Sequence, residues 1–201
     1  MKQALNILRH PIYGVWDMKR EKTGRYRDGF ILILLAIIAV TFNRQMRAFV
    51  FNNYYNVPLD ILKQVALVVL PVVLFSLANW SITTLAEGKG SFKDIFMVTC
   101  YALMPLIIFQ FVTPVITHFI TLNEEAYLNI IDGVGYAWTF LMLILGIQEI
   151  HEYSAGKMVS TTVLTVIAMA IIVFIVLLFF SLLQELGSFV YSLYREFSLR
   201  L

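Results

Sequence analysis

The chain has 201 residues, 60% of them hydrophobic and 14% charged, with a mean hydropathy of +0.80. Soluble domains carry about 45–50% apolar and about 25% charged residues, so this composition excludes an ordinary soluble globule and indicates a single membrane domain. A formal net charge of +2 is too small for a nucleic-acid partner, and the lone Cys100 excludes an intramolecular disulfide.

Residues 1–27 form a basic leader with Lys2, Arg9, Lys19, Arg20, Lys22, Arg25 and Arg27. Leu5, Leu8, Ile12, Val15 and Trp16 recur at near-helical spacing, interrupted by Pro11 and Gly14. Two readings stand at this point: a helix lying along an anionic leaflet, or a positive flank before the first span. No small-residue cleavage site follows the first apolar run, so no cleavable signal peptide is read.

The apolar runs predict an all-α polytopic protein with about five transmembrane helices in a domain over 28–186. The first span is placed at about 28–51, with Arg44 and Arg47 snorkelling to the far interface. Asn52 to Pro58 is a turn with interfacial tyrosines. The second span is placed at 61–86, the third at 95–120, the fourth at 130–150 and the fifth at 158–186. An acidic link with Glu124 and Glu125 separates spans three and four. Residues 187–201 read as an amphipathic C-terminal helix lying on a leaflet or in a partner's groove. Lys and Arg number ten on the side that holds the leader and the turns at 87–94 and 148–157, against five on the other. The positive-inside rule therefore puts the N-terminus in the cytoplasm and the C-terminus outside.

Two turns stand out. Gly88, Lys89, Gly90, Ser91 and Phe92 form a tight polar turn between spans two and three, with Ser91 as N-cap and Lys93 and Asp94 in the following first turn. Gly146, Glu149 and His151 mark a second turn expected on the same side. Pro71, Pro105 and Pro114 each withhold a backbone N–H, freeing the carbonyls of Leu67, Tyr101 and Gln110 within the bilayer. These kinks suit either helix packing or a hydrated path, and no ionised residue is read well inside spans two to four.

No catalytic constellation is found. Glu124–Glu125 lacks the arginine four residues on that an intramembrane prenyl-processing protease carries. Glu149, His151 and Glu152 point to different sides of a helix and have no second His at ligand spacing, so no metal is assigned. Gly-Lys-Gly at 88–90 lacks the glycine spacing and the Ser/Thr of a Walker A loop. The chain is read as neither an enzyme nor a cofactor binder.

Three stretches resemble the Yip1 domain family in its bacterial form. HPIYGVWDMKREKTGRYRDGF resembles its Pro-aromatic-charged approach to the first span. NWSITTLAEGKGSFKDIFMVTCYALMP resembles its Gly-x-Gly-Ser-Phe turn and the following Tyr-Ala-x-x-Pro. WTFLMLILGIQEIHEYSAGKMVSTTVL resembles its Trp-led fourth helix and Gly-x-x-Glu-x-His turn. The Asp-Leu-Tyr-Gly-Pro signature of eukaryotic members is absent, so their trafficking role is not carried over. The resemblance implies a non-enzymatic, multi-pass protein of the bacterial cytoplasmic membrane. It would act as an accessory or scaffold subunit for other membrane proteins such as an ABC-type export system, or as a homo-oligomer. The leader and the 87–94 turn would form its cytoplasmic docking face. The alternative is a small transporter or channel along the proline-kinked helices, centred on Pro105, Gln110 and Pro114.

Overall fold

The computed structural model describes residues 2–21, 24–52 and 56–200. Lys22 of the leader, Asn53, Tyr54 and Tyr55 of the expected tyrosine turn, and Leu201 of the tail lie outside the described residues. Among those described, every regular element is helical, and five helical stretches are long and apolar enough to cross a membrane. The chain is an all-α polytopic membrane protein.

The leader folds as α1 (Lys2–Arg9) and α2 (Pro11–Arg20), separated at His10 because Pro11 takes the first position of the second helix. α3 (Tyr26–Met46) follows; its 21 residues span ~31 Å, enough for a hydrocarbon core of about 30 Å. The expected span reached residue 51, but the helix stops earlier. Arg47 is extended, the Ala48 N–H donates to Thr117 Oγ1 at 2.9 Å, and Phe49–Phe51 is a separate 3-10 turn. Arg44 donates to the carbonyls of Val57 and Pro58 at 3.2 and 3.1 Å.

α4 (Ile61–Leu85) is capped by Asp60 and continues through Pro71, which sits on its exposed side. The expected third span divides into α5 (Phe92–Ala102) and α6 (Met104–Ile116). Pro105 cannot supply the N–H that continuation would need, so the chain breaks at Leu103, whose N–H reaches back to the Cys100 carbonyl at 3.2 Å. Beyond the break, the Leu106 N–H donates to Thr139 Oγ1 at 3.1 Å. Pro114 lies inside α6.

The acidic link is shorter than expected. Leu122–Glu124 is one 3-10 turn, in which Glu124 caps the N–H of Thr121 at 2.9 Å, and α7 (Glu125–His151) starts at once. α8 (Ala155–Arg200) is one uninterrupted 46-residue helix, so no break separates residues 158–186 from the tail.

α5 is the hub. Its residues Ile95 to Ala102 are all buried, and α3, α4 and α7 pack around it. α6 joins α3 and α7, while α2 lies along α7 and α1 along α2. α8 packs chiefly on α4 through small polar side chains. Asn79 donates to Thr165 Oγ1 at 3.2 Å, and Ser76, Thr83 and Thr161 are buried nearby, each returning its hydroxyl to its own helix. Small residues with interhelical hydrogen bonds are how helices associate where lipid is as apolar as leucine.

Candidate functional site

The two turns singled out in the sequence meet in space. α5 begins at Ser91, whose Oγ accepts from the Asp94 N–H at 3.3 Å while Asp94 Oδ2 accepts from the Ser91 N–H at 3.1 Å. This capping box fixes how the chain enters the helix and presents Gly88 and Gly90 to the end of α7. There the Gly90 N–H donates to Nδ1 of His151 at 3.2 Å. The ring of His151 is buried and stacks on Tyr153, with centroids 5.1 Å apart and planes 20° apart. Tyr153 in turn donates its hydroxyl to the Ala86 carbonyl at 3.1 Å.

Closeness explains both glycines. A Cβ on Gly88 would collide with His151 Nδ1, and one on Gly90 with Ile150 Cγ2. Neither glycine has positive φ. The positive values belong to Glu87 at 56° and Glu152 at 55°, where the chain leaves α4 and α7. A left-handed residue there is a common way to end a helix, at some cost for a non-glycine.

Glu152 closes the joint electrostatically. It accepts from Lys19 of α2 at 2.9 Å and from Lys89 of the turn, and Lys19 also donates to the Ile150 carbonyl at 2.7 Å. The hydrogen bonds from Lys89 and Lys19 hold the Glu152 carboxyl down to about 2. Burial, aided by the charge of Glu87, raises the Tyr153 phenol. The joint therefore ties leader, turn and α7 through three charged side chains around a neutral ring. Nδ1 accepts a backbone N–H, so the remaining ring proton lies on Nε2, which is buried without a hydrogen-bond partner.

The sequence-predicted residues separate into distinct regions. Gly88, Lys89, Gly90 and His151 come together; Ser91 caps α5, and Phe92 packs edge-on against Trp80 at 5.9 Å. Gly146 lies deeper, where a Cβ would meet Val98 of α5 and Val15 of α2. Glu149 gives its carbonyl to the Glu152 N–H at 3.4 Å. Pro71 stands apart on α4; Tyr101, Pro105, Gln110 and Pro114 follow α5 and α6 away from the joint. Tyr101 is fully buried with its hydroxyl unpartnered, and Gln110 donates to Tyr136 Oη at 3.3 Å.

Two relationships have no local signal in the sequence. Lys19 is one of seven leader cations and nothing nearby marks it as the partner of Glu152, 133 positions away. At the opposite end of the bundle, Arg47 does not snorkel freely but pairs with Asp132 at 2.6 Å, and Thr113 donates to the same carboxylate at 2.8 Å. Asp132 lies two turns into α7 and is the third residue of the span expected at 130–150, close to that end of it. It ties α7 to α6 and to the end of α3.

Among the described residues, no group of three His, Cys, Asp or Glu side chains could hold a metal ion. The Yip1 domain family model matches residues 5–189, nearly the whole chain. The chain belongs to the Yip1 domain family. The match takes in the leader from residue 5, the joint, the first four apolar stretches of this Yip1 protein and the fifth as far as residue 189. No curated protein and no solved structure matches the chain.

Proposed function

We propose that this Yip1 protein is a non-enzymatic accessory or scaffold subunit of the bacterial cytoplasmic membrane, acting by assembly with other membrane proteins such as an ABC-type export system. Its N-terminus, with the joint, faces the cytoplasm and its C-terminus lies outside, in keeping with the excess of Lys and Arg around the joint. The joint makes the cytoplasmic end of the bundle one rigid piece, leaving the docking to surfaces that project from it.

One observation carries this reading. α8 has 46 residues, which at 1.5 Å each is ~69 Å. A bilayer with its headgroups is about 45 Å thick, and at the average tilt of about 20° it accommodates ~48 Å of helix. Phe189, Val190 and Leu193 lie past that length of α8 and are all exposed. Apolar side chains at helical spacing outside lipid favour a protein partner.

Purification of the full chain from native membranes in mild detergent, with mass spectrometry of what remains bound, tests this. A stoichiometric transporter permease or its ATPase supports the accessory reading. A homo-oligomer carrying only lipid removes it. The alternative path along Pro105, Gln110 and Pro114 would then be tested by solute flux in liposomes and its loss on Gln110→Leu.

A further inference from the structure

The leader has two apolar faces, and the bundle covers one of them. Ala4, Ile7, Val15 and Met18 are buried in the core, whereas Leu5, Ile12, Tyr13 and Trp16 are exposed. Packing within this chain accounts for the first set and leaves the second unexplained.

The level at which the second set sits decides what covers it. A Cβ on Gly146 would lie 2.5 Å from a Val98 methyl and 3.6 Å from a Val15 methyl, so these three residues share one height. Val98 is the seventh residue of α5, and Gly146 lies five residues before the end of α7. That is about 7–9 Å inside both helix ends at 1.5 Å per residue. An interfacial helix rests its apolar face about 5–10 Å into the boundary between headgroups and acyl chains. Ile12, Tyr13 and Trp16 flank Val15 in α2 and face outward at this height, beside helices long enough to span the bilayer.

The charges nearby match an anionic surface. Arg9 and Arg20 are exposed, and the Arg20 guanidinium lies 4.6 Å from the centre of the Trp16 ring. A shallow cleft lined by Leu5, Asn6, Arg9 and His10 puts cationic and apolar groups side by side. Lys19, by contrast, is committed to Glu152.

We infer that α1 and α2 form an interfacial anchor whose outward face is seated in a leaflet of anionic phospholipid. Leu5, Ile12, Tyr13 and Trp16 enter the acyl boundary, and Arg9 and Arg20 meet lipid phosphates. The inner face holds this anchor against α5 and α7 at a fixed height, so the leader is a rigid wedge in the leaflet. This inference does not depend on any protein that docks on α8.

Trp16 reports the contact directly. Trp80→Phe with Trp138→Phe leaves it the sole tryptophan of the full chain. The protein is reconstituted in mixed phosphatidylglycerol and phosphatidylcholine bilayers, with brominated acyl chains on one lipid at a time. Brominated lipid should quench Trp16, and phosphatidylglycerol should be enriched around it about five-fold, the factor one cation at a charged membrane surface contributes. Arg9→Gln with Arg20→Gln should bring that preference close to one while quenching persists. Should the double tryptophan replacement fold poorly, the difference between wild type and Trp16→Phe gives the same readout. No quenching by either lipid would mean that water or protein covers the face, and equal quenching by both would mean no anionic preference. Each of those results overturns the inference.

Discussion

The backbone N–H of Gly90 donates to Nδ1 of His151 at 3.2 Å, across 61 positions of sequence. That hydrogen bond needs a glycine, because any Cβ at 90 would strike Ile150 and His151. It also needs a ring with Nδ1 unprotonated, because only a free lone pair can accept. The turn that opens the hub helix is thereby fastened to the end of α7.

Gly90→Ala is expected to destabilise the protein by about 1–3 kcal/mol, the range for forcing a methyl into filled space. His151→Phe keeps a flat ring on Tyr153 but leaves the Gly90 N–H unpaired, at about 1–3 kcal/mol. Denaturation midpoints in a mild detergent measure both. An unchanged midpoint for Gly90→Ala would show that the turn does not hold the joint together.

Glu152 makes the joint acid-sensitive. Its folded carboxyl is depressed to about 2 from an ordinary 4.5. The contribution is therefore fully present above pH 4.5 and is lost as pH falls through the folded value near 2. Wild type should lose stability over that window relative to Glu152→Gln, which has no carboxyl to titrate. Thermal midpoints of the two proteins from pH 6 to pH 3 should converge as acid is added; a constant difference would contradict the pairing with Lys19 and Lys89.

At the far end, Asp132→Ala leaves Arg47 without its carboxylate partner in a setting where both side chains are about three-quarters covered. A loss of about 1–3 kcal/mol is expected, below the full cost of breaking a wholly buried pair. Arg47→Leu with Asp132→Leu should recover much of it, since removing both charges removes the desolvation cost. A double replacement as damaging as the single one would argue that the pair does more than hold α3, α6 and α7 together.

Gly146 permits the close approach of α7 to α5 and α2. Gly146→Leu should separate Val98 and Val15 and loosen the leader, read as faster amide exchange over residues 11–20 with the far-end Arg47–Asp132 contact unaffected. Equal protection in both proteins would count against the packing described.

The five spans are legible in the sequence because about twenty consecutive apolar residues have few other uses. The break at Leu103 is foreshadowed by Pro105, and the cap at Ser91 by the serine and Asp94 around Lys93. The joint is only half legible. Gly88, Gly90 and His151 are visible as punctuation, but Lys19 looks like any other leader cation until the fold brings it to Glu152. Asp132 stands within the span expected from residue 130, but nothing near it in sequence marks Arg47, 85 positions away, as its partner. The unbroken course of α8 is equally hidden, since Gly187 and the serines beyond it suggest an end that the helix does not take.

The most direct test of assembly through α8 is a photocrosslinking residue in place of Phe189, compared in native membranes with one in place of Phe140 on α7. Both positions are exposed, but Phe140 lies within a spanning helix, whereas Phe189 is ~51 Å along α8, past the ~48 Å that a tilt of about 20° accommodates. The account predicts a discrete adduct with one membrane protein from position 189 and only lipid adducts from position 140. Lipid labelling alone from both positions would contradict it.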